Sequence, residues 1–176
     1  MTISEATILI EAGKPTSTQP LNWADLGCGS GLFSQALASL LPVGSAVLGI
    51  DQKQQKFRET VIQGVNLDFV RADFTQFDFG DTLYNGFLLA NSLHYVQDKD
   101  TLLHQLKDQL KADGMLLLIE YDTRKSNPWV PYPIPFFDLV RMGQSVGFPQ
   151  ARKLGERNSR YGSQKMYACE LKMTKL

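Results

Sequence analysis

The segment Asp25-Leu-Gly-Cys-Gly-Ser-Gly31, called the glycine loop below, constrains the fold more than any other part of the chain. It places three glycines at alternate positions between an apolar run and an amphipathic run. Glycine tolerates positive φ and lets the backbone approach a ligand closely, because it has no Cβ. The pattern therefore predicts a strand that turns sharply into a helix, with room for a ligand at the turn.

Apolar runs of strand length alternate with segments of helical periodicity after the loop as well, which is typical of βαβ units and a largely parallel sheet. The predicted strands cover residues 22–26, 46–50, 66–72, 83–90 and 115–120, and a closing hairpin covers 149–156 and 161–173. The predicted helices cover residues 3–12, 30–41, 54–62, 101–111 and 136–146.

The chain of 176 residues has the length of one ordinary domain, so we expect a single domain over residues 1–176. Residues 1–20 are expected to form a short helix and a linker. Residues 122–135 interrupt the alternation with four prolines, and such an irregular excursion is often a lid or a binding loop.

Composition narrows the classes of partner. Lysine plus arginine equals aspartate plus glutamate at 18 each, so net charge gives no support to a nucleic-acid partner. The start lacks the pattern of a secretory signal, and no apolar run approaches the ~20 residues of a membrane span. Neither Cys28 nor Cys169 has metal-ligand spacing. We therefore expect a cytoplasmic protein without a membrane partner, metal or disulfide.

A glycine loop after a strand can hold either of two cofactor classes. A dinucleotide fingerprint requires glycine or alanine where this chain has Leu32 in one register and Ser34 in the other. Asp25 would also place negative charge near a pyrophosphate, whereas it would attract a sulfonium or an ammonium. The residues thus favour a cationic ligand, although a tight turn without any ligand remains open.

The sequence DLGCGSG after a strand resembles motif I of the class I, Rossmann-like methyltransferases, which bind S-adenosylmethionine. The resemblance extends from about residue 21 to the closing hairpin. It implies a three-layer α/β fold with a mostly parallel, seven-stranded sheet whose last strand is antiparallel. The chain also resembles a small bacterial subgroup without an assigned substrate, which carries Glu-Tyr-Asp after the fifth strand and an Asn-Pro-Trp-Val-Pro loop.

Acidic residues end successive predicted strands. Asp51 lies about twenty residues beyond the glycines, where a carboxylate can accept both hydroxyls of a ribose, although it could also cap the next helix. The resemblance implies that Asp73 and the amide of Phe74 bind adenine, and that Asn91 lies near the methionine part. The candidate cofactor residues are Asp25, Gly27, Gly29, Gly31, Asp51, Gln52, Asp73, Phe74 and Asn91.

Methyl transfer needs alignment of the acceptor with the methyl group, and it needs a base only if the acceptor arrives protonated. His94 follows the fourth strand and could be that base, or it could pack a helical turn. Asp122 is the second catalytic candidate, whereas His104 is expected to be exposed. The candidate substrate residues, near the ends of the fourth and fifth strands and in the proline-rich loop, are His94, Tyr95, Glu120, Tyr121, Trp129 and Tyr132.

Two roles are open for Trp129: its side chain could form a wall of the acceptor site, or it could pack on the core and hold the loop in place.

The function expected from the resemblance is methyl transfer from S-adenosylmethionine to oxygen or nitrogen of a small-molecule acceptor. The product would be S-adenosylhomocysteine, and the protein would act as a monomer or homodimer. The chain lacks the Pro-Pro-aromatic motif that many DNA-adenine and glutamine methyltransferases carry after this strand. The alternatives are a non-catalytic adenosyl-binding or partner module, a nicotinamide-dependent oxidoreductase and, with least support, a macromolecular methyltransferase.

Overall fold

The computed structural model describes residues 1–53, 60–159 and 164–173. Helices and strands alternate along most of this length. In chain order they are α1 (Ile3–Ile10), a 3-10 turn (Glu11–Gly13), β1 (Asn22–Leu26), α2 (Leu32–Ala38), β2 (Ala46–Asp51), β3 (Thr60–Ile62), β4 (Val65–Arg71), β5 (Tyr84–Ala90), a 3-10 turn (Leu93–Tyr95), α3 (Lys99–Asp108), β6 (Leu110–Tyr121), α4 (Phe136–Val146), β7 (Gln150–Asn158) and β8 (Lys165–Lys172). No helix in this part of the chain is long and apolar enough to cross a bilayer.

All strands of the described chain join one sheet with the order β3-β4-β2-β1-β5-β6-β8-β7. The five strands from β4 to β6 in this order run parallel, β8 runs antiparallel to β6, and β7 and β8 form the closing hairpin. The α/β class, the mostly parallel sheet and the antiparallel closing strand are confirmed. The sheet has eight strands where seven were expected.

The additional strand is β3, which pairs antiparallel with β4 at the sheet edge. The predicted helix over 54–62 is therefore wrong for residues 60–62, and its first six residues lie outside the described chain. Thr60, Val61 and Ile62 are β-branched, which favours a strand over a helix. Gln63 and Gly64 follow with φ of 50° and 80°, the positive values of a two-residue hairpin turn.

Apolar side chains on alternate strand positions face opposite layers of helices. In β5, for example, Phe87 and Leu89 belong to the cluster that contains α3 and α4 residues. Leu88 belongs to the cluster under α1 and α2, together with Leu37 and Ile10. Each face of the sheet is thus covered by helices, as the predicted three-layer architecture requires.

Candidate functional site

The parallel strands bring their carboxyl ends to one edge of the sheet, and the candidate residues collect there. Asp25 lies in β1, Asp51 ends β2, Asp73 follows β4 and Asn91 follows β5. Since β4, β2, β1 and β5 are consecutive neighbours in the sheet, these four residues lie side by side. This edge is where ligands of open α/β sheets bind.

The glycine loop is held against β2 by backbone hydrogen bonds. The amides of Gly27 and Cys28 donate to the Ile50 carbonyl at 2.8 and 3.1 Å, and the Gly29 amide donates to Oδ2 of Asp51 at 2.9 Å. These contacts fix the turn between β1 and α2 before any ligand binds.

Gly27 and Gly29 differ in the space that surrounds them. Gly27 has φ of 74°, and a Cβ there would lie 2.6 Å from Cβ of Ser92, which no packing allows. Gly29 has φ of 55°, and a Cβ there would meet no atom within 4 Å. The loop therefore packs tightly against the residues after β5 at one point and faces open space at the next. This open space beside Gly29, called the hollow below, gives a ligand access to the backbone.

Asp25 is a buried carboxylate, with 1% of its surface exposed. Ser34 of α2 donates to its Oδ2 at 2.5 Å. Burial raises the pKa of Asp25 to about 7, with the Ser34 hydrogen bond opposing the rise and the charge of Asp51 adding to it. A group with this pKa exchanges its proton near neutral pH, so its charge responds to a cation placed nearby.

Three buried oxygen atoms at this edge lack a hydrogen-bond partner within the described chain: Oδ1 of Asp25, Oδ1 of Asn91 and Oγ of Ser92. Each such atom costs roughly 1–3 kcal/mol when it stays unpaired. Asn91 also has φ of 56°, a conformation that is uncommon outside glycine and is often found at functional sites. Three hydrogen-bond acceptors near the open hollow suit a ligand that carries positive charge and N–H or O–H donors.

The remaining candidate cofactor residues lie at the same edge of the sheet. Asp51 also accepts from the Lys53 amide at 2.9 Å, and Oδ1 of Asp73 accepts from the amide and hydroxyl of Thr75 at 2.9 and 2.7 Å. The ring of Phe74 lies 3.4 Å from where a Cβ of Gly27 would be. Gln52 is exposed at the rim.

His94 and Glu120 form a buried pair beyond the hollow. Their side chains are 2% and 1% exposed, and Nδ1 of His94 lies 2.6 Å from Oε2 of Glu120. The His94 amide donates to the other carboxylate oxygen at 3.1 Å. Because a carboxylate only accepts, Nδ1 carries a proton, and in the neutral imidazole with this tautomer Nε2 has the lone pair. The pair therefore presents an imidazole whose free nitrogen can accept a proton.

A pocket of about 620 Å³ opens at this histidine. Aromatic side chains, amides and one valine line it: Asn91, His94, Tyr95, Tyr121, Asn127, Trp129, Val130 and Gln164. Since Asn91 lines the pocket and the adjacent Ser92 packs on Gly27, the pocket and the glycine hollow are neighbours. Trp129 is 79% exposed, so it does not pin the loop to the core.

Three other candidates do not line this pocket. Glu120 lies behind His94, and Oδ1 of Asp122 accepts the amide of Phe136 at the start of α4 at 3.1 Å. Tyr132 donates its amide to the His94 carbonyl at 3.0 Å and so holds the proline-rich loop. The structure therefore gives Asp122 a position at a helix start rather than beside an acceptor.

Ser34, Ser92, Asn127, Val130 and Gln164 belong to the site, and the sequence interpretation missed them. Asn127 precedes a proline, a pair that often begins a turn, and this was a usable signal. Gln164 precedes β8 and reaches the pocket because β8 pairs with β6, whose last residue is Tyr121. The sequence predicted the hairpin but not which strand it joins.

The N-terminal segment lies away from the pocket at His94. Residues 14–17 line a second cavity of about 420 Å³ together with Leu21 and Trp23, on the opposite, amino-terminal edge of the sheet. They contribute nothing to the lining of the pocket at His94. Within the described residues, no group of three or more metal-ligating side chains occurs.

Comparison with known proteins gives a family match. A family model described as a methyltransferase domain matches residues 24–114, which run from β1 into β6. Uncharacterized methyltransferases of Mycobacterium tuberculosis and Mycobacterium bovis are 28% identical over 120 residues. The matched region covers 65% of this chain and 57% of each relative, so the match extends over less than two thirds of those proteins.

Solved structures share the fold at low sequence identity. Magnesium protoporphyrin IX methyltransferase from Synechocystis, with bound SAM, has a TM-score of 0.68 and 21% identity, covering 97% of this chain and 77% of that one. The YcgJ protein from Bacillus subtilis has a TM-score of 0.74 and 11% identity, covering 96% and 98%. Both therefore share the fold of this chain over nearly its whole length.

Proposed function

The chain belongs to the methyltransferase-domain family, and we propose that it transfers a methyl group from S-adenosylmethionine to oxygen or nitrogen of a small-molecule acceptor. The observation that carries the proposal is the set of unpartnered buried oxygens of Asp25, Asn91 and Ser92 beside an open glycine turn. S-Adenosylmethionine carries a sulfonium and an ammonium, which are the charges that such a site favours. When bound, it supplies an electrophilic methyl group.

The residues around the hollow fit this cofactor. Asp51 would accept the ribose hydroxyls, and Asp73 with Phe74 would hold the adenine, while Gln52 lies at the exposed rim. The glycine loop lets the backbone approach the ligand, and Asp25 and Asn91 would face its positively charged end. These roles combine the placement of each residue with the resemblance of the glycine loop to motif I.

The acceptor would occupy the pocket at His94. Nε2 of His94 takes the proton of an acceptor that arrives protonated, and Glu120 stabilises the imidazolium that results. Tyr95, Tyr121 and Trp129 would pack against the acceptor and release water from the surfaces in contact. Asp122 is a weaker catalytic candidate because its carboxylate is engaged at the start of α4.

Calorimetric titration with S-adenosylhomocysteine, beside a titration with reduced nicotinamide dinucleotide, tests the cofactor assignment. We expect the wild type to bind the first and not the second. Asp51→Ala should weaken binding of S-adenosylhomocysteine about 10- to 100-fold, because it removes charge-assisted hydrogen bonds worth roughly 1.5–3 kcal/mol.

Asp113→Ala serves as the matched control, since Asp113 is exposed at the amino-terminal end of the sheet. Failure of the wild type to bind S-adenosylhomocysteine would overturn the proposal. Binding of the nicotinamide cofactor instead would favour the oxidoreductase alternative.

A further inference from the structure

We infer that the pocket at His94 takes a flat, uncharged aromatic acceptor that bears an ionisable hydroxyl or ring N–H. The inference rests on the proposed function, and it narrows the acceptor from any small molecule to one chemical class. It comes from the shape, the charge and the anchoring of the pocket walls.

Aromatic rings form the walls of the pocket. Trp129 and Tyr95 are 79% and 57% exposed, so much of their aromatic surface is open to a ligand. The His94 ring stands 4.5 Å from the ring centroid of Tyr95 and 5.9 Å from that of Tyr121. A flat aromatic acceptor would cover these surfaces by stacking and edge contacts, whereas an aliphatic chain would gain only apolar burial.

The wall that carries Trp129 is anchored by hydrogen bonds. Oδ1 of Asn127 accepts from the amides of Trp129 and Val130 at 2.9 and 3.0 Å, and Asn127 and Val130 exchange backbone hydrogen bonds at 3.1 Å. The Tyr132 amide binds the His94 carbonyl. Because this wall is already held in place, little conformational entropy is lost in ordering the loop when a ligand binds. A fixed wall of this kind suits a rigid, planar ligand.

The described residues that line the pocket carry no fixed charge for an ionic acceptor. No lysine, arginine, aspartate or glutamate lines it within the described ranges. Arg124 is instead paired with Asp138 at 2.7 Å, and Lys99 donates to the Val96 carbonyl at 2.6 Å. Phosphate and carboxylate acceptors are usually held by such cations, so an uncharged acceptor fits best.

The acceptor must also have a proton to give to His94. As its oxygen or nitrogen forms a bond to the methyl carbon, the carbon–sulfur bond breaks and its electron pair stays on sulfur. The acceptor's proton moves to Nε2 of His94, so the positive charge lost from sulfur appears on the imidazolium beside Glu120. A phenol, whose pKa is near that of tyrosine at about 10, gives its proton to an imidazole more readily than an aliphatic alcohol does.

Calorimetry of the protein saturated with S-adenosylhomocysteine tests the inference with three probes: 2-naphthol, 6-hydroxy-2-naphthoate and cyclohexanol. We expect 2-naphthol to bind at least about 10-fold more tightly than the other two, and to accept a labelled methyl group from S-adenosylmethionine. Trp129→Ala should weaken naphthol binding about 10-fold, Trp129→Phe should restore most of it, and neither should change affinity for S-adenosylhomocysteine.

Phe137→Ala is the matched control, because Phe137 is also an exposed aromatic, at 74%, but does not line the pocket. The inference is overturned if S-adenosylhomocysteine binds normally while 2-naphthol fails to bind, if Trp129→Ala binds it like wild type, or if the naphthoate binds more tightly. Loss of S-adenosylhomocysteine binding by the wild type would instead show that the proposed function itself fails.

Discussion

Asp25→Asn is expected to stabilise the folded protein at pH 8 while it weakens cofactor binding. The carboxylate is buried, and desolvation raises its pKa from 3.8 to about 7. Each pKa unit corresponds to about 1.4 kcal/mol, so ionised Asp25 destabilises the fold by up to about 4 kcal/mol above pH 7. Asparagine keeps the shape and a partner for Ser34 but carries no charge.

The pH dependence of this effect has a defined direction. A raised folded-state pKa means that the native protein holds a proton that the unfolded chain has released. The contribution of Asp25 to stability is therefore complete below about pH 4, falls as the pH rises, and is lost above about pH 7. Urea unfolding of wild type and Asp25→Asn at pH 4, 6 and 8 should show a stability difference that grows over this range.

Asp113→Asn, an exposed substitution at the opposite edge of the sheet, is the control for the stability series. If Asp25 serves the cofactor, calorimetry at pH 8 should show that Asp25→Asn binds S-adenosylmethionine at least about 10-fold more weakly. Both results together would show a destabilising charge that is kept for binding, an opposition between stability and function. Equal stability of wild type and variant at pH 8 would contradict the account.

The features that could be predicted from the sequence are those that depend on residues close together in the chain. The glycine loop, β1 and α4 follow from local apolar periodicity and from the conformational freedom of glycine. The placement of Asp51 and Asp73 at one edge follows from the same reasoning, because parallel strands share the direction in which they end. β3 was missed although Thr60–Ile62 and the following Gln63 and Gly64 carried a local hairpin signal.

Contacts between distant segments could not be predicted from the sequence. Glu120 lies 26 residues after His94 and meets it only because β6 pairs with β5. Asp25 was expected to face the ligand directly, but Ser34 of α2 covers one of its oxygens. Asp122 was grouped with the acceptor because it ends the fifth strand, and Tyr132 because it lies in the proline-rich loop. Their hydrogen bonds instead hold α4 and the loop. Periodicity reveals which elements form but not which side chains pair across them.

Glu120→Gln is expected to lower methyl-transfer turnover about 100- to 10,000-fold without lowering affinity for S-adenosylhomocysteine. Glutamine keeps the volume of Glu120 and can still accept the amide of His94. Its amide group, however, can donate to Nδ1 of His94, and this favours the tautomer in which Nε2 carries the proton. His94 would then be unable to accept a proton from the acceptor, even though no atom that touches the acceptor has been removed.

His94→Ala should reduce turnover to a similar extent, but it leaves Glu120 buried without its side-chain partner. Such a loss can cost about 3–5 kcal/mol of stability, so Glu120→Gln is the sharper of the two variants. His104→Ala is the matched control, since His104 is half exposed and bonds only within α3. Turnover would be followed as transfer of a labelled methyl group to 2-naphthol.

The tautomer can be observed without any acceptor. The chain has two histidines, so a spectrum of protein labelled with nitrogen-15 histidine resolves His94, with His104 as an internal reference. In the wild type we expect a protonated Nδ1 and an unprotonated Nε2, and in Glu120→Gln the reverse. Reversal of the tautomer together with loss of turnover would make Glu120 the residue that positions the base. An unchanged tautomer, or turnover within about threefold of wild type, would remove the pair from the mechanism.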